Sequence, residues 1–75
     1  MRASPGPADE VDERMALERA FERLDVGARS ILVLHHLEGR GLAEIASVLA
    51  IPLGTVKSRL FAARRALERA LERER

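Results

Sequence analysis

The sequence predicts an all-α domain built from four helices. Apolar residues recur at helical spacing in four successive segments, so each segment carries an apolar stripe along one side of a helix. Polar and apolar residues nowhere alternate, and β-branched residues are few, so no strand is predicted. Glycine or proline separates the later segments, which indicates short connections between packed helices.

Length and composition limit what such a domain can be. The chain has 75 residues, no cysteine, no tryptophan, no tyrosine and two phenylalanines, so its core has to consist mainly of aliphatic side chains. A chain of this size buries only about 60% of its unfolded surface, and an ordered partner is expected to add to its stability. The absence of cysteine excludes a disulfide, a thiolate metal site and a catalytic thiol, and it is typical of a cytoplasmic protein.

No membrane-spanning or secretory segment is predicted. The longest stretch without a charged residue, 45–56, has twelve residues, whereas a spanning helix needs about 20. No apolar stretch follows the N-terminal residues, as a secretory signal would require.

The first helix is expected after a short leader. Residues 1–8 hold two of the three prolines and predict a flexible leader or linker, and residues 9–75 predict the folded domain. Asp9 and Glu10 favour the start of the helix, because acidic side chains stabilise its positive N-terminal end. Its apolar stripe consists of Val11, Met15, Leu17, Ala20, Phe21 and Leu24.

The second and third helices are short. Asp25 is the expected N-cap of the second, and Gly39 and Gly41 end it, because glycine adopts the left-handed conformation that follows a helix. The predicted buried positions of the second helix are Val26, Ile31, Leu32, Leu34 and Leu37. The third helix is expected over about 42–50, with Leu42, Ile45, Ala46 and Leu49 facing inward.

A long fourth helix begins near Pro52, which fits the first helical position because no amide hydrogen is needed there. Its apolar stripe consists of Val56, Leu60, Ala63, Leu67 and Leu71.

The net charge of +1 conceals two oppositely charged halves. Residues 8–38 contain eight acidic and four basic residues, whereas residues 39–67 contain five basic residues and one acid. No acid occurs between Ala46 and Leu67. The second half therefore has the charge expected of a nucleic-acid-binding surface.

The fourth helix separates its apolar and basic faces. On a helical wheel the apolar stripe occupies one side, and the opposite side holds Lys57, Ser58, Phe61, Arg65 and Arg69. A helix of this kind fits the major groove of a duplex, where phosphates line both edges. Taken alone, the same pattern is equally compatible with an ordinary solvated helix face.

Residues 42–67 predict a helix-turn-helix, in which a short helix, a tight turn and a second helix are held together by small and apolar side chains. Those positions are occupied here by Ile45, Ala46, Leu49, Ile51 and Val56. Ala50 departs from the pattern, because the turn favours positive φ and therefore glycine. Alanine is expected to fit there if the helix ends one residue differently.

These residues resemble region 4 of extracytoplasmic-function (ECF) bacterial sigma factors. The resemblance covers about residues 9–72, including 24–34, 36–39 and 44–46, and its most specific part is Gly54-Thr55-Val56-Lys57-Ser58-Arg59-Leu60 followed by Ala63-Arg64. Val26 replaces a proline usual in the family, and Ala62 stands where many members carry a larger or basic side chain. The acidic, proline-containing leader resembles the linker between sigma regions 2 and 4, so the chain is expected to be the C-terminal piece of a longer sigma factor.

The resemblance implies a winged-helix-like, all-α DNA-binding domain that recognises the promoter −35 element in transcription initiation. Its last helix would enter the major groove, while another face binds the flap of the RNA polymerase β subunit, and an anti-sigma factor is a further partner. Arg59 falls near the core on the wheel, where it is expected to serve the DNA backbone or the preceding helix. The candidate DNA-binding residues are Arg40, Thr55, Lys57, Ser58, Arg59, Phe61, Arg64 and Arg65.

Two of these residues, Arg40 and Thr55, are secondary candidates. Arg40 lies in the loop before the motif, near the expected path of the sugar–phosphate backbone, and Thr55 can donate its hydroxyl to a phosphate from the first turn of the helix. A helix-start hydrogen bond is an equally good role for Thr55.

Two alternative functions stay open. The effector domain of LuxR-type response regulators has a similar Gly-Thr-Val-Lys-Ser stretch, but Arg59 stands where that pattern more often has histidine, and the continuation over 63–67 resembles sigma factors. The other alternative is a helical protein-interaction module without DNA binding. Leu67, Ala70 and Leu71 among alternating charges would extend a coiled coil, although two heptads do not define one.

Catalysis and metal binding are not predicted. Adjacent histidines, His35 and His36, diverge by about 100° on a helix and do not readily face one ion, so one is expected to be partly buried and the other exposed. The chain has no Ser/His/Asp arrangement, no paired carboxylates in an apolar setting and no phosphate-binding glycine loop. We therefore expect no enzyme activity, no cofactor and no small-molecule substrate.

Overall fold

The computed structural model describes residues 7–74, with side chains described from residue 12. Its helices are α1 (Pro7–Glu22), α2 (Val26–Leu32), α3 (Leu42–Leu49) and α4 (Leu53–Arg73), and a π-helical segment (Val33–Leu37) continues α2 without a break. No strand occurs over this range, so the all-α prediction is confirmed. No single helix in this range is both long and apolar enough to cross a membrane. Helices α3 and α4 reach that length and apolar character only when they are taken together, and the pair is bent by 103°.

The start of α1 falls within the stretch predicted as a leader. Residues 1–6 lie outside the described residues, whereas Pro7 and Ala8 form the first turn of α1. The side chains of Asp9, Glu10 and Val11, which were expected to start the helix and its stripe, also lie outside the described part of the chain.

Helix α4 is the central element of the fold, because α1, α2 and α3 all pack against it. Ala20 of α1 and Ala70 of α4 are buried where these two helices meet. The main core consists of aliphatic side chains from α2, α3, α4 and the turn after α1: Leu24, Ile31, Leu32, Ile45, Val56, Leu60 and Ala63. The predicted stripes of α3 and α4 therefore face the core, with Leu42, Ala46, Leu49 and Leu67 packed around its edge.

The prediction of burial is wrong for two residues of the second helix. Val26 is 68% exposed and Leu37 is 78% exposed. Val26 is the first residue of α2, directly after an extended cap residue. Leu37 ends the π-helical segment, in which Glu38 N–H donates to the Val33 carbonyl at 3.0 Å. A π-turn holds more residues than an α-turn, so the register of the inward face is lost before Leu37.

The predicted ends of the second helix are confirmed. The Asp25 carboxylate accepts a hydrogen bond of 2.7 Å from the Ala28 N–H, which makes Asp25 the N-cap. Gly39 has a φ of 68°, the left-handed conformation expected after the helix. The Arg40 N–H then donates to the Leu34 carbonyl at 3.0 Å and turns the chain towards α3.

The turn between α3 and α4 differs from the expectation for Ala50. Helix α3 ends at Leu49, and Ala50 itself adopts the left-handed conformation, with φ 57° and ψ 44°. The Ile51 N–H donates to the Ala46 carbonyl at 3.0 Å and closes the turn. The turn geometry is thus kept with alanine at the left-handed position, where its Cβ crowds the backbone.

Replacing Ala50 by glycine is expected to stabilise the domain by about 0.5–1 kcal/mol. Left-handed alanine costs roughly 1–2 kcal/mol, and the greater freedom of glycine in the unfolded chain offsets about 0.4–1 kcal/mol of that gain. Urea unfolding followed by circular dichroism measures the change. The matched control is Ala43→Gly at an exposed site on α3, which is expected to lose about 1 kcal/mol. Equal losses in both variants would contradict a strained turn.

One carboxylate joins the C-terminal end of α1 to the residue that follows α4. Glu74 accepts a hydrogen bond of 2.6 Å from Arg19 Nε, and Arg23 reaches its other oxygen at 2.9 Å. The Glu74 side chain is only 8% exposed, unlike those of the two arginines. The hydrogen bond from Arg19, followed by that from Arg23, lowers the pKa of Glu74 below its ordinary value of 4.5.

The stability that Glu74 adds to the folded state is expected to vary with pH in the acid range. A carboxyl whose pKa is lower in the folded state stabilises that state above pH 4.5, and the stabilisation disappears as the pH falls through the lowered pKa. The midpoint of thermal unfolding of Glu74→Gln should therefore be lower than that of the unaltered chain at neutral pH, and the two midpoints should converge at acid pH. Glu72→Gln, at an exposed site on α4, is the control. A difference that stays constant with pH would contradict the role of the ionised carboxylate.

Candidate nucleic-acid interface

The candidate interface is the outward face of the first half of α4. Val56 and Leu60 anchor the inner side of this helix in the core. The intervening side chains Lys57, Ser58 and Phe61 are exposed, and Phe61 is 63% exposed although it is large and apolar. Burial of one stripe therefore determines which residues of α4 face solvent.

Arg65 and Phe61 lie together on this face. The Arg65 guanidinium carbon lies 5.7 Å from the centroid of the Phe61 ring, a cation–π contact. The two residues are one helical turn apart, so the pair orients both side chains on the helix surface. The arrangement presents an apolar ring and a cation side by side, which suits contacts to a base and to a phosphate.

Arg59 lies on a different flank of α4. It is exposed and lines a shallow groove between α2 and α4, together with Asp25, Gly27, Ala62 and Arg69. The structure therefore brings Lys57, Ser58, Phe61 and Arg65 to one face and leaves Arg59 beside the second helix, as the helical wheel indicates.

Arg64 points towards the π-helical segment. Its Nε donates a hydrogen bond of 3.2 Å to Nε2 of His36, and both side chains are exposed. The ring of His35 lies edge-on to that of His36, with the centroids 4.9 Å apart. His35 is half-buried and its Nδ1 lies 3.1 Å from the Arg40 carbonyl oxygen, so the expected difference between the two histidines is confirmed. The described residues contain no cluster of His, Asp and Glu that could hold a metal ion.

Arg40 has two acidic partners. Its Nε donates to Glu38 and its NH1 to Glu44, each at 2.7 Å. The hydrogen bonds to Glu38 and Glu44 raise the pKa of Arg40 further above its already high value. A phosphate has to displace a carboxylate to reach this guanidinium, so Arg40 is expected to contribute less to DNA binding than Lys57.

Thr55 lies in the first turn of α4 and is half-buried. Its N–H donates to the Pro52 carbonyl at 3.0 Å, and Pro52 is an N-cap without a side-chain acceptor. The helix start is thus made by backbone geometry.

An apolar groove is a second surface that sequence reasoning did not find. It has a volume of about 470 Å³ and lies between α1, the π-helical segment and α4. Its walls are apolar, and Glu18, Glu22 and His36 also line it. The apolar lining residues are Leu17, Phe21, Leu32, Leu37 and Leu67. Leu37 was predicted to be buried and Leu17 to lie on the apolar stripe of the first helix. Their apolar character was the available signal, but helical spacing does not distinguish a core position from a groove wall.

Residues 14–67 match the family described as "Sigma-70, region 4". The matched range includes all the candidate DNA-binding residues, the helix-turn-helix and the apolar groove.

Curated relatives agree with this match. The chain is 36% identical over 64 residues to the RNA polymerase sigma-H factor of Pseudomonas aeruginosa, covering 85% of this chain and 32% of that protein. It is 36% identical over 59 residues to the ECF RNA polymerase sigma-E factor of Escherichia coli, covering 79% of this chain and 31% of that protein. The sigma-E factor of Salmonella typhimurium matches with the same values. The chain thus spans about a third of the length of these relatives.

Proposed function

This chain belongs to the sigma-70 region 4 family, and we propose that it binds the promoter −35 element as the region 4 domain of an ECF RNA polymerase sigma factor. The observation that carries the proposal is the outward face of α4, where Lys57, Ser58, Phe61 and Arg65 are exposed together on a helix-turn-helix. No acid occurs between residues 46 and 67, so nothing in this stretch opposes the approach of phosphates.

The side chains on this face divide into two kinds of contact. Lys57 and Arg65 carry the charge that neutralises phosphates, which supplies affinity without reading the sequence. Ser58 and Phe61 offer a hydroxyl and an apolar ring, the groups that meet base edges and thymine methyl groups in the major groove. Ala62 is exposed beside them and offers only a methyl group, so base reading is proposed to depend on the residues that precede it.

Footprinting on promoter DNA in the presence of core RNA polymerase tests this function. Protection of a segment about 35 base pairs upstream of the transcription start, appearing only when this chain is added, would support the proposal. Protection that stays the same when the chain is left out would overturn it.

For the apolar groove we propose the flap of the RNA polymerase β subunit as the occupant. A groove open between α1 and α4 can receive an apolar helix or loop, and Leu37 offers the most exposed large side chain at its edge. An anti-sigma factor that covers the same groove is the further partner proposed here. The role is one of binding in the cytoplasm beside the polymerase, and it calls for neither a cofactor nor a catalytic residue.

Replacing Leu37 by aspartate is expected to weaken binding to core RNA polymerase at least tenfold while leaving binding to duplex DNA unchanged. A charge in the groove has to be desolvated by an apolar partner, which costs on the order of 1–3 kcal/mol or more. Co-sedimentation with core enzyme and fluorescence anisotropy with DNA measure the two affinities. Val26→Asp is the matched control, because Val26 is similarly exposed but lies outside the groove. Equal polymerase binding by both variants would contradict the flap assignment.

A further inference from the structure

One contact on α4 has no part in the functions proposed above. Arg64 Nε donates to His36 Nε2 at 3.2 Å, and the bond joins two residues 28 positions apart in the sequence. It links α4, which carries the DNA-binding face, to the π-helical segment, which forms one wall of the apolar groove.

The chemistry of this bond requires one protonation state of His36. Nε2 accepts a hydrogen bond only when it carries no proton, so the acceptor is the neutral ring with its proton on Nδ1. The guanidinium of Arg64 has five N–H donors. One is used by His36, and the four on its two terminal nitrogens are left to bind a phosphate.

We propose that His36 is a positioning residue for DNA binding, which holds the Arg64 guanidinium in one orientation so that its terminal nitrogens meet a backbone phosphate. The inference rests on the proposed DNA-binding function. A free arginine side chain loses much rotational freedom when it binds, and an arginine already held by His36 loses less. His36 thereby raises affinity without touching DNA itself.

The test compares four variants on a fluorescent duplex of arbitrary sequence, because phosphate contacts do not depend on sequence. His36→Ala is expected to bind about threefold more weakly than the unaltered chain at pH 8, the size of effect typical of an exposed polar contact. His36→Gln is expected to restore most of the affinity, because its amide oxygen can accept from Arg64. In an Arg64→Ala background, His36→Ala is expected to have no further effect. Circular dichroism melts verify that all variants fold.

The double substitution separates positioning from a purely structural role. A structural role of His36 would lower affinity whether or not Arg64 is present, and His36→Gln would not restore it. An effect of His36→Ala that persists without Arg64 would therefore overturn the proposal, and so would a failure of His36→Gln to restore affinity.

The outcomes also distinguish this proposal from the function on which it rests. If the unaltered chain does not bind the duplex even at low salt, both are wrong. If it binds and His36→Ala binds equally well, the DNA-binding function stands and the role of His36 is refuted.

Discussion

Replacing Lys57 and Arg65 together by alanine is expected to weaken binding to duplex DNA by about tenfold per lost phosphate contact near 0.1 M salt. Each neutralised phosphate releases condensed counterions, which adds roughly −0.9 to the slope of log affinity against log salt concentration. The double variant should therefore bind with a slope about two units shallower. Both side chains are exposed, so the fold is expected to persist.

Anisotropy titrations over a range of salt concentrations measure this slope. The matched control removes the same charge elsewhere, by Arg14→Ala on α1 and Arg73→Ala at the far end of α4, both exposed. If net charge alone mattered, DNA affinity would fall equally in both double variants. A defined interface lowers the affinity only of the Lys57 and Arg65 variant. If the slope and affinity of the Lys57 and Arg65 variant match those of the unaltered chain, the outward face of α4 is not the DNA-binding surface.

Ile45→Ala is expected to remove about 3 kcal/mol of folding free energy, a large part of what a domain of this size has. Ile45 is fully buried and forms the core of the helix-turn-helix together with Val56 and Leu60. The surrounding core is small and aliphatic, so its side chains cannot rearrange to fill the cavity without losing other contacts. In a domain this short the loss should lower the midpoint of thermal unfolding by on the order of 15 °C.

Val48→Ala on the same helix is the control for this substitution. Val48 is 55% exposed, and its truncation is expected to change stability by no more than about 0.5 kcal/mol. Thermal and urea unfolding followed by circular dichroism give both values. Similar small losses for Ile45→Ala and Val48→Ala would mean that α3 is not packed against α4 as described.

Much of the fold could be predicted because its determinants are local. Asp25 indicates a helix start because its side chain can accept a hydrogen bond there, and Gly39 indicates a helix end because glycine tolerates positive φ. The register of α3 and α4 follows from regular apolar spacing. The exposure of Leu37 could not be predicted, because the π-turn before it depends on how α2 packs and changes the register without a sequence signal.

The candidate site divides in the same way. The wheel of a straight helix separates Lys57 and Phe61 from the core and places Arg59 on a flank, so these positions follow from the sequence alone. The partner of Arg64 does not, because His36 lies 28 positions away and reaches it only in the tertiary fold. Glu38 and Glu44 lie two and four positions from Arg40, in and beside a loop whose conformation does not follow from residue spacing. Helical spacing likewise does not distinguish an apolar residue in the core from one that lines an open groove, such as Leu17.

Selection from a pool of random duplexes, with sequencing of the bound fraction, tests most directly whether the outward face of α4 reads DNA sequence. We predict one short enriched motif, and we predict that Ser58→Ala and Phe61→Ala change its base preferences while binding of non-selected duplexes stays the same. A bound fraction with the composition of the starting pool, or a motif that both substitutions leave unaltered, would contradict sequence reading by this helix.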